Sequence, residues 1–571
     1  MDQDEMACEE FSEINLAVAD LALPAALALS SSLAACGGGG SDASSSPAAP
    51  SSPAAPQMAP TEAEASRFLA QASMGASRSL IANVQSLGYA AWIDAQFVLP
   101  QSTGRWEALV AGGYGASTYK NSEDGFDAVA WQKMLSSPDT LRQRVTLALS
   151  EIMVTAIDGL VGSGWRSFAA ANYLDLLEAN AFGNYRTLMQ KISTNTAMGM
   201  FLTFRGSMKA NPTTGSLPDE NYSRELMQLF TIGLVRLNLD GTPDLTSGAA
   251  RPTYALADIT GLAPVFTGWD FDLAGQTVSQ ATATPDFVRR PMVQIPGRFE
   301  SSAKNFLGTT ISAGTDAVQS MQLALDAIFA HQNVGPFISR QLIQHLTMSN
   351  PSPSYVARVA TVFNNDGAGA KGNLQAVVKA LLLDEEARSA SVAASASAGK
   401  LREPMVRFAA WARAYNVQSA SNAWAVGNTS DPATRLAQSP LRSPTVFNFF
   451  RPGYVPPNSA IAAAALVAPE FQLSNESSVV GVVNFMQRAI SGGLGDLAAD
   501  YSTLLSIADN TVALVAEINL VLVANQLDAS TVKTISSALA TLPTGTDALR
   551  MKRIYAALTL TVATPEFVVL K

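Results

Sequence analysis

From Thr61 to the C-terminus, one segment after another places apolar residues three and four positions apart, the spacing of a single helix face. A chain patterned in this way can bury its apolar stripes only by packing helix on helix. Thr61, with Glu64 three residues on, reads as a capping box opening a helix through ASRFLAQASMG. Ser137-Pro138-Asp139 opens another, with proline in the first turn and Leu141, Val145, Leu149 and Ile152 on one face. The same period predicts helices over 169–190, 219–235, 255–265, 317–330, 335–347, 353–364, 373–387 and 402–415, and repeatedly from 478 to 566. It fails between 274 and 313, where VRRPMVQIP and NFLGTTI read as short strands. The segment 388–400, rich in Ala and Ser, reads as a surface loop. No fixed-period repeat recurs, which argues against a solenoid. The expected fold class is mainly α: a large multi-helix globular body with a minor β-hairpin or irregular element around 274–313.

The residues before Thr61 are of another kind. Residues 21–36, LALPAALALSSSLAAC, form an uncharged run ending in small residues. The run is shorter than the roughly 20 residues a helix needs to span a bilayer, which favours a signal-peptide h-region. Leu33-Ala34-Ala35-Cys36 is similar to a lipobox, in which the cysteine is lipidated and becomes the new N-terminus. Gly37–Gly40 and a Ser/Ala/Pro stretch follow, the composition of a flexible tether. The expected organisation is a lipoprotein signal peptide over 1–36, a tether over 37–60 and a helical body over 61–571. Gly37 at the second mature position implies outer-membrane sorting and attachment to the membrane through lipid. The acidic beginning MDQDEMACEEFSE lacks the positive n-region of a signal peptide. The alternative is an acidic amphipathic helix with a chance LAAC, and whether this beginning is the true start stays open.

Charge and ligand residues exclude several function classes. The formal net charge of −10 is carried entirely before Arg67, by Asp2, Asp4, Glu5, Glu9, Glu10, Glu13, Asp20, Asp42, Glu62 and Glu64, so the body is formally neutral. It has no basic field of the kind nucleic acid requires. The only cysteines are Cys8 and Cys36 and the only histidines His331 and His345, too few for a conventional zinc site or a disulfide framework. No G-x-S-x-G or P-loop occurs in the body. Neither a metal nor another cofactor is therefore expected.

Three clusters could carry chemistry. Pro218-Asp219-Glu220-Asn221-Tyr222-Ser223-Arg224-Glu225 is the densest in polar residues. On a helix, Tyr222, Leu226, Leu229 and Phe230 share an apolar face, with Asn221 and Glu225 at its rim. Asp219, Glu220 and Glu225 are candidate acid/base groups or cation ligands, with Asn221 and Arg224 as binding residues. The plain alternative is a capped helix with a Glu220–Arg224 ion pair, worth a few tenths of a kcal/mol. His345 falls at helical spacing with Ile338, Leu342 and Leu346 and reads as a core histidine rather than a ligand. His331, ahead of Asn333-Val334-Gly335-Pro336, reads as a turn or capping residue. SPTVFNFFRPGYVPP (443–457) reads first as a rigid loop clamped on the core, and second as the wall of a cleft for a sugar or peptide. Asn448, Arg451 and Tyr454 are its binding candidates.

PDENYSRELMQLFTIGL and the later Thr267-Gly268-Trp269 resemble the signature of a bacterial family, domain of unknown function 1800. The resemblance continues in ASRFLAQASMG (65–75), ANAFGNYRTLM (179–189), NVGPFISRQLIQHL (333–346), SNPSPSYVARV (349–359), LREPMVRF (401–408), SPTVFNFFRPGYVPP and TPEFV (564–568). It covers nearly everything from Thr61 on and is weakest over about 460–550. The family brings no established activity. It implies export, and a neighbouring exported partner of family 1501, whose members resemble alkaline phosphatases and sulfatases. Many relatives carry histidines in a WHNHF-like segment, where this chain has Leu141-Arg142-Gln143-Arg144 and Ala148-Leu149-Ser150-Glu151. Many also carry one where this chain has Phe299-Glu300 ahead of Lys304. A histidine metal centre is thus not expected.

Two readings of different class follow. The first is a binding or scaffolding lipoprotein of the envelope, acting with a secreted partner. The second is an envelope enzyme with a carboxylate/arginine site centred on PDENYSRE, using Arg224, Arg340 or Arg407 to hold an anionic substrate. Charges embedded in apolar motifs need partners. Glu225 or Glu220, together with Glu403, is therefore expected beside Arg340, Arg407 or Arg451, in a polar centre separating two hydrophobic sub-cores.

Overall fold

The computed structural model describes residues 59–571, so the expected signal peptide, Cys36 and the tether up to residue 58 lie outside the described residues. Residues 59–243 and 252–571 form one unit. Residues 244–251 group separately and hold a short hairpin pairing Leu245–Thr246 with Ala249–Ala250. The body is mainly helical, with only short antiparallel strand pairs among the described residues.

The local rules of the sequence hold at many helix ends. Helix α1 (Glu62–Ala72) opens with the Thr61/Glu64 capping box, each side chain accepting from the other's backbone N–H. Helix α2 (Thr140–Ile152) starts after Asp139, so Pro138 stands just outside it rather than in its first turn. Elsewhere the periodicity ran past a stop. The stretch 169–190 is two helices, α3 (Arg166–Ala179) and Tyr185–Ser193, because Asn184 caps the second by accepting from the Arg186 N–H at 2.9 Å. The helix expected over 219–235 is only α4 (Asn221–Gln228), beyond which Gly233 takes a left-handed conformation at φ 69°. The helix over 373–387 breaks at Asp384, whose carboxylate accepts from the Glu386 N–H. The expected β element is present: Lys304–Phe306 pairs with Thr309–Ile311, and Val293–Gln294 pairs with Trp269–Asp270. Leu307 and Gly308 both have positive φ, as a tight hairpin turn between right-twisted strands requires.

Two apolar clusters fill the body. The first gathers α1, α2, α3, α4 and α5 (Val334–Leu346) around Phe68, Trp92, Tyr173, Tyr185 and Tyr222. The second gathers α6 (Pro404–Ala414), α7 (Glu476–Gly492), α8 (Thr511–Val523) and α9 (Asp547–Val562) around Trp131, Phe408 and Trp411. Helix α2 serves both, with Leu141, Val145 and Leu149 in the first cluster and Leu147 in the second. It is buried over nearly its whole length, including Arg142, Gln143, Arg144 and Glu151. Charged side chains on such a helix are stable only where partners meet them. The segment 388–400 is not a surface loop throughout, because Lys400 is buried and Lys400–Leu401 pairs with Val569–Leu570. Among the described residues no single helix is long and apolar enough to cross a membrane.

Candidate functional site

Three helix ends converge between the two clusters. Glu151 lies in the last turn of α2, His345 in the last turn of α5, and Glu403 stands just ahead of Pro404, the first residue of α6. A carboxylate in a C-terminal turn opposes the helix dipole, so Glu151 needs compensation from outside its own helix. Glu403 occupies a cap position but makes no side-chain cap bond; its carboxylate turns inward and is fully buried. One potential ligand atom from each of Glu151, His345 and Glu403 lies within 4.8 Å of the others. His345 Nδ1 and Glu151 Oε2 are 3.1 Å apart.

The surrounding polar groups fix which atoms face one another. The Gln438 amide nitrogen donates to Glu151 Oε1 at 3.2 Å and to Glu403 Oε2 at 2.8 Å. Lys400 Nζ donates to the carbonyls of Gln344 and His345 at 2.9 and 2.8 Å and pairs with Glu470 Oε1 at 2.8 Å. These are carbonyls of the last turn of α5, which has no intrahelical donors of its own to offer them. An ammonium has three N–H donors, so Lys400 is saturated and stands 3.9 Å from Glu403 Oε1. Arg144 also donates to the His345 carbonyl. With both carboxylates ionised, Glu151 Oε2, Glu403 Oε1 and His345 Nδ1 are left buried without a hydrogen-bond partner among the described residues, as are Arg144 Nε and Nη1 and Glu470 Oε2; a proton on Glu151 supplies a bond to Glu403.

Burial and charge decide the protonation. Burial, with the neighbouring Glu403 adding to it, pushes Glu151 well above the usual carboxylate range. Burial also acts to raise Glu403, but the hydrogen bond from Glu151 and the charges of Lys400 and Arg144 outweigh it and hold Glu403 low. Burial, then Lys400, brings His345 down to about 3, so its imidazole is neutral at physiological pH. The pair thus holds one proton, on the Glu151 side.

A cavity with about 30 Å³ of free space opens beside Glu151, lined by Ser150, Leu147, Met405, Ser443, Asn448 and Phe449 among others. That is space on the scale of one or two waters. Its wall is short of hydrogen bonds: Arg105 Nε, Glu151 Oε2, Thr155 Oγ1, Ser443 Oγ and Asn448 Nδ2 are all buried without a partner among the described residues. Orphaned buried polar atoms are rare in native proteins and point to water, an ion or a ligand.

The family model of the description "Protein of unknown function (DUF1800)" matches residues 67–569. The chain belongs to this family. No curated protein and no solved structure matches it.

In this DUF1800 member the signature helix is a different object from the one its sequence suggested. Asp219, one residue ahead of the cap residue Glu220, accepts from the Asn221 N–H at 2.8 Å and from the Thr203 hydroxyl at 2.8 Å. Asn221 Nδ2 reaches the same hydroxyl at 3.4 Å. Glu220 pairs with Arg224 at 3.5 Å and accepts from Thr260 at 2.9 Å, the plain ion-pair alternative. Glu225 is buried rather than at a rim, and its charge, after burial, helps raise the pKa of Tyr254. Arg340 is exposed on α5. Arg407 is partly buried on α6, and loss of solvent lowers its pKa to about 10. Arg451 lies over the Phe447 ring at 5.2 Å, and Tyr454 is half-buried with its backbone bonded to Arg451 and Ala468. His331 Nδ1 accepts from the Asn333 N–H at 3.1 Å, a turn role.

A polar centre between the two apolar clusters does exist, but with other partners. Glu403 faces Glu151, His345, Gln438 and Lys400 instead of Arg340, Arg407 or Arg451, and the signature carboxylates serve α4. Of the candidates read from sequence, Glu403 belongs to the centre and Asn448 to the cavity. Glu151, Arg144, Lys400, Gln438 and Glu470 were missed, and His345 was read as core packing. The available signal was an acid in the last turn of an apolar helix, against the dipole.

Proposed function

We propose that the protein is an exported lipoprotein, held at the cell envelope through Cys36, whose helical body binds a small polar ligand in the cavity beside Glu151. In this reading it acts with a secreted partner, such as a neighbouring protein of family 1501. The anchoring part rests on the lipobox-like LAAC and the Gly/Ser/Ala/Pro tether. The binding part rests on one observation: five residues lining a cavity with a mostly apolar wall each carry an orphaned buried polar atom, the make-up of a site that orients a small molecule by a few polar contacts. A thermal-shift panel of molecules small enough for that space, formate, acetate, carbonate and phosphate, on the full chain tests it. At least one compound should raise the melting temperature, and Ser150→Leu, which narrows the cavity, should remove that shift. No shift with any compound, or one that persists in Ser150→Leu, refutes the site.

A second reading, an envelope enzyme, gains from the pairing of a protonated Glu151 with a neutral His345, an acid beside a base. It moves the catalytic candidates from PDENYSRE to this centre.

A further inference from the structure

We propose that Glu151, His345 and Glu403 bind one divalent transition-metal ion, through Glu151 Oε2, His345 Nδ1 and Glu403 Oε1. The inference rests on the cavity beside Glu151 being a binding site, because that cavity supplies the remaining ligand.

Orientation is the first argument. Gln438 holds Glu151 by Oε1 and Glu403 by Oε2, so the opposite oxygen of each carboxylate is the one left over. Those two oxygens and His345 Nδ1 are among the orphaned atoms of the centre, with Arg144 Nε and Nη1 and Glu470 Oε2. An outer group that grips ligating carboxylates from behind is how metal sites fix their ligands. Lys400 cannot serve these atoms, because its donors are taken by Gln344, His345 and Glu470.

Charge is the second. The groups facing one another are the carboxylates Glu151, Glu403 and Glu470, the cations Lys400 and Arg144, and the imidazole of His345. One negative charge is in excess, and either a proton or a metal ion can balance it. A proton on Glu151 reaches Glu403, and the Nδ1–H of a neutral His345 can close on Glu151 at 3.1 Å, whereas one ion would take all three atoms at once. Ligand atoms of a four-coordinate zinc site lie roughly 3.4 Å apart, from bonds of about 2.0–2.1 Å. His345 Nδ1 and Glu151 Oε2 already stand 3.1 Å apart, and with one ligand atom of each residue within 4.8 Å of the others, an ion would draw Glu403 inward.

The donor set selects the ion. One imidazole with two carboxylates suits zinc, manganese or iron(II), whereas calcium and magnesium prefer oxygen alone. Three protein ligands leave a position open, as in metal sites that bind a further molecule. With a dication in place the centre carries one net positive charge, which favours an anionic fourth ligand from the cavity.

The test uses the full chain with Cys8→Ser and Cys36→Ser, so that no thiol competes, stripped with chelator and titrated with Zn²⁺ and with Co²⁺. One equivalent should bind, and zinc-edge X-ray absorption should show one imidazole with oxygen neighbours. His345→Gln should weaken binding at least about 100-fold, and Gln438→Leu roughly 10- to 100-fold as an outer-shell change. No stoichiometric binding, or a bound ion without imidazole, overturns the inference in the parent chain whether or not the variants fold. Unchanged affinity in folded His345→Gln overturns it as well. Compound shifts that survive without any metal binding defeat the metal site and spare the cavity. Metal bound equally by Ser150→Leu, with no compound shift, supports the metal site and defeats the cavity reading.

Discussion

Nδ1 of His345 lies 3.1 Å from Oε2 of Glu151, although each residue ends a different helix. The contact exists because Lys400 and Arg144 draw the end of α5 inward by its His345 carbonyl while Gln438 holds Glu151 from the other side. The centre is therefore assembled by groups from four distant stretches of chain, and each of them should be felt in stability.

Gln438→Ala should be among the costlier single changes in the body. It leaves Glu151 Oε1 and Glu403 Oε2 buried with no amide donor. Losing a donor to a buried carboxylate costs about 1–3 kcal/mol per orphaned group, so a loss of about 2–4 kcal/mol is expected in urea denaturation. An unchanged midpoint would show that water replaces the amide freely.

Glu225 should behave as a core residue. It is buried in α4 between Tyr222 and Leu226, both fully buried, with Tyr222 hydrogen-bonded to Ser193 at 2.6 Å and stacked on Phe204. Glu225→Ala is expected to cost more than about 1 kcal/mol of stability, the range of buried polar losses rather than of surface changes. A variant as stable as the parent would return Glu225 to the list of site candidates.

The signature shows why fold was more legible than site. Helices such as Ala317–Ala330 and Pro353–Asn364 match the sequence expectation because apolar period and caps, Asp316 and Ser352, are both local. The break at Asn184 was hidden because the apolar period continues across it. The polar density of PDENYSRE is what a helix start needs, and Asp219 and Glu220 spend theirs on it. Glu403 stood out as the one carboxylate of LREPMVRF. Glu151 did not, because Gln438, His345 and Lys400 reach it only through tertiary packing.

Arg553 is expected to be irreplaceable by lysine. Its guanidinium, fully buried in α9, donates to the carbonyls of Ala508, Leu539 and Leu542 at 2.7–2.8 Å and to the Thr511 hydroxyl at 2.6 Å. One planar fork thus ties α8, α9 and the helix Ala529–Ala540 together. Lysine carries its donors on one atom and cannot span these acceptors. Arg553→Lys should cost about 3 kcal/mol or more, as expected when a buried charge loses its partners. Thermal unfolding would detect this, and a shift within the error of the parent curve would contradict the arrangement.

Asp496 gives the body an acid-sensitive clamp. One carboxylate accepts from the amides of Ala425, Ala423 and Ser421 and from the hydroxyls of Ser419 and Ser421. Burial acts to raise its pKa, but the bonds from Ala425, Ser419, Ser421 and Ala423 outweigh it and hold Asp496 far below the usual carboxylate range. A group with a depressed folded pKa adds stability that is full above its unfolded pKa, about 3.9 for Asp. That stability drains as pH falls from there toward the folded value. In Asp496→Asn, whichever way the amide turns, its NH₂ meets a backbone N–H, of Ala425 on one side or of Ser421 and Ala423 on the other. At neutral pH the variant should lose about 1–3 kcal/mol, the cost of unmade bonds to a charged acceptor. The parent and the variant should then converge as pH is lowered below about 4, because protonation removes the advantage only the parent has. Urea denaturation of both chains from pH 7 down to pH 3 measures the gap, and a gap that stays constant over that range would show that the clamp does not depend on the carboxylate charge.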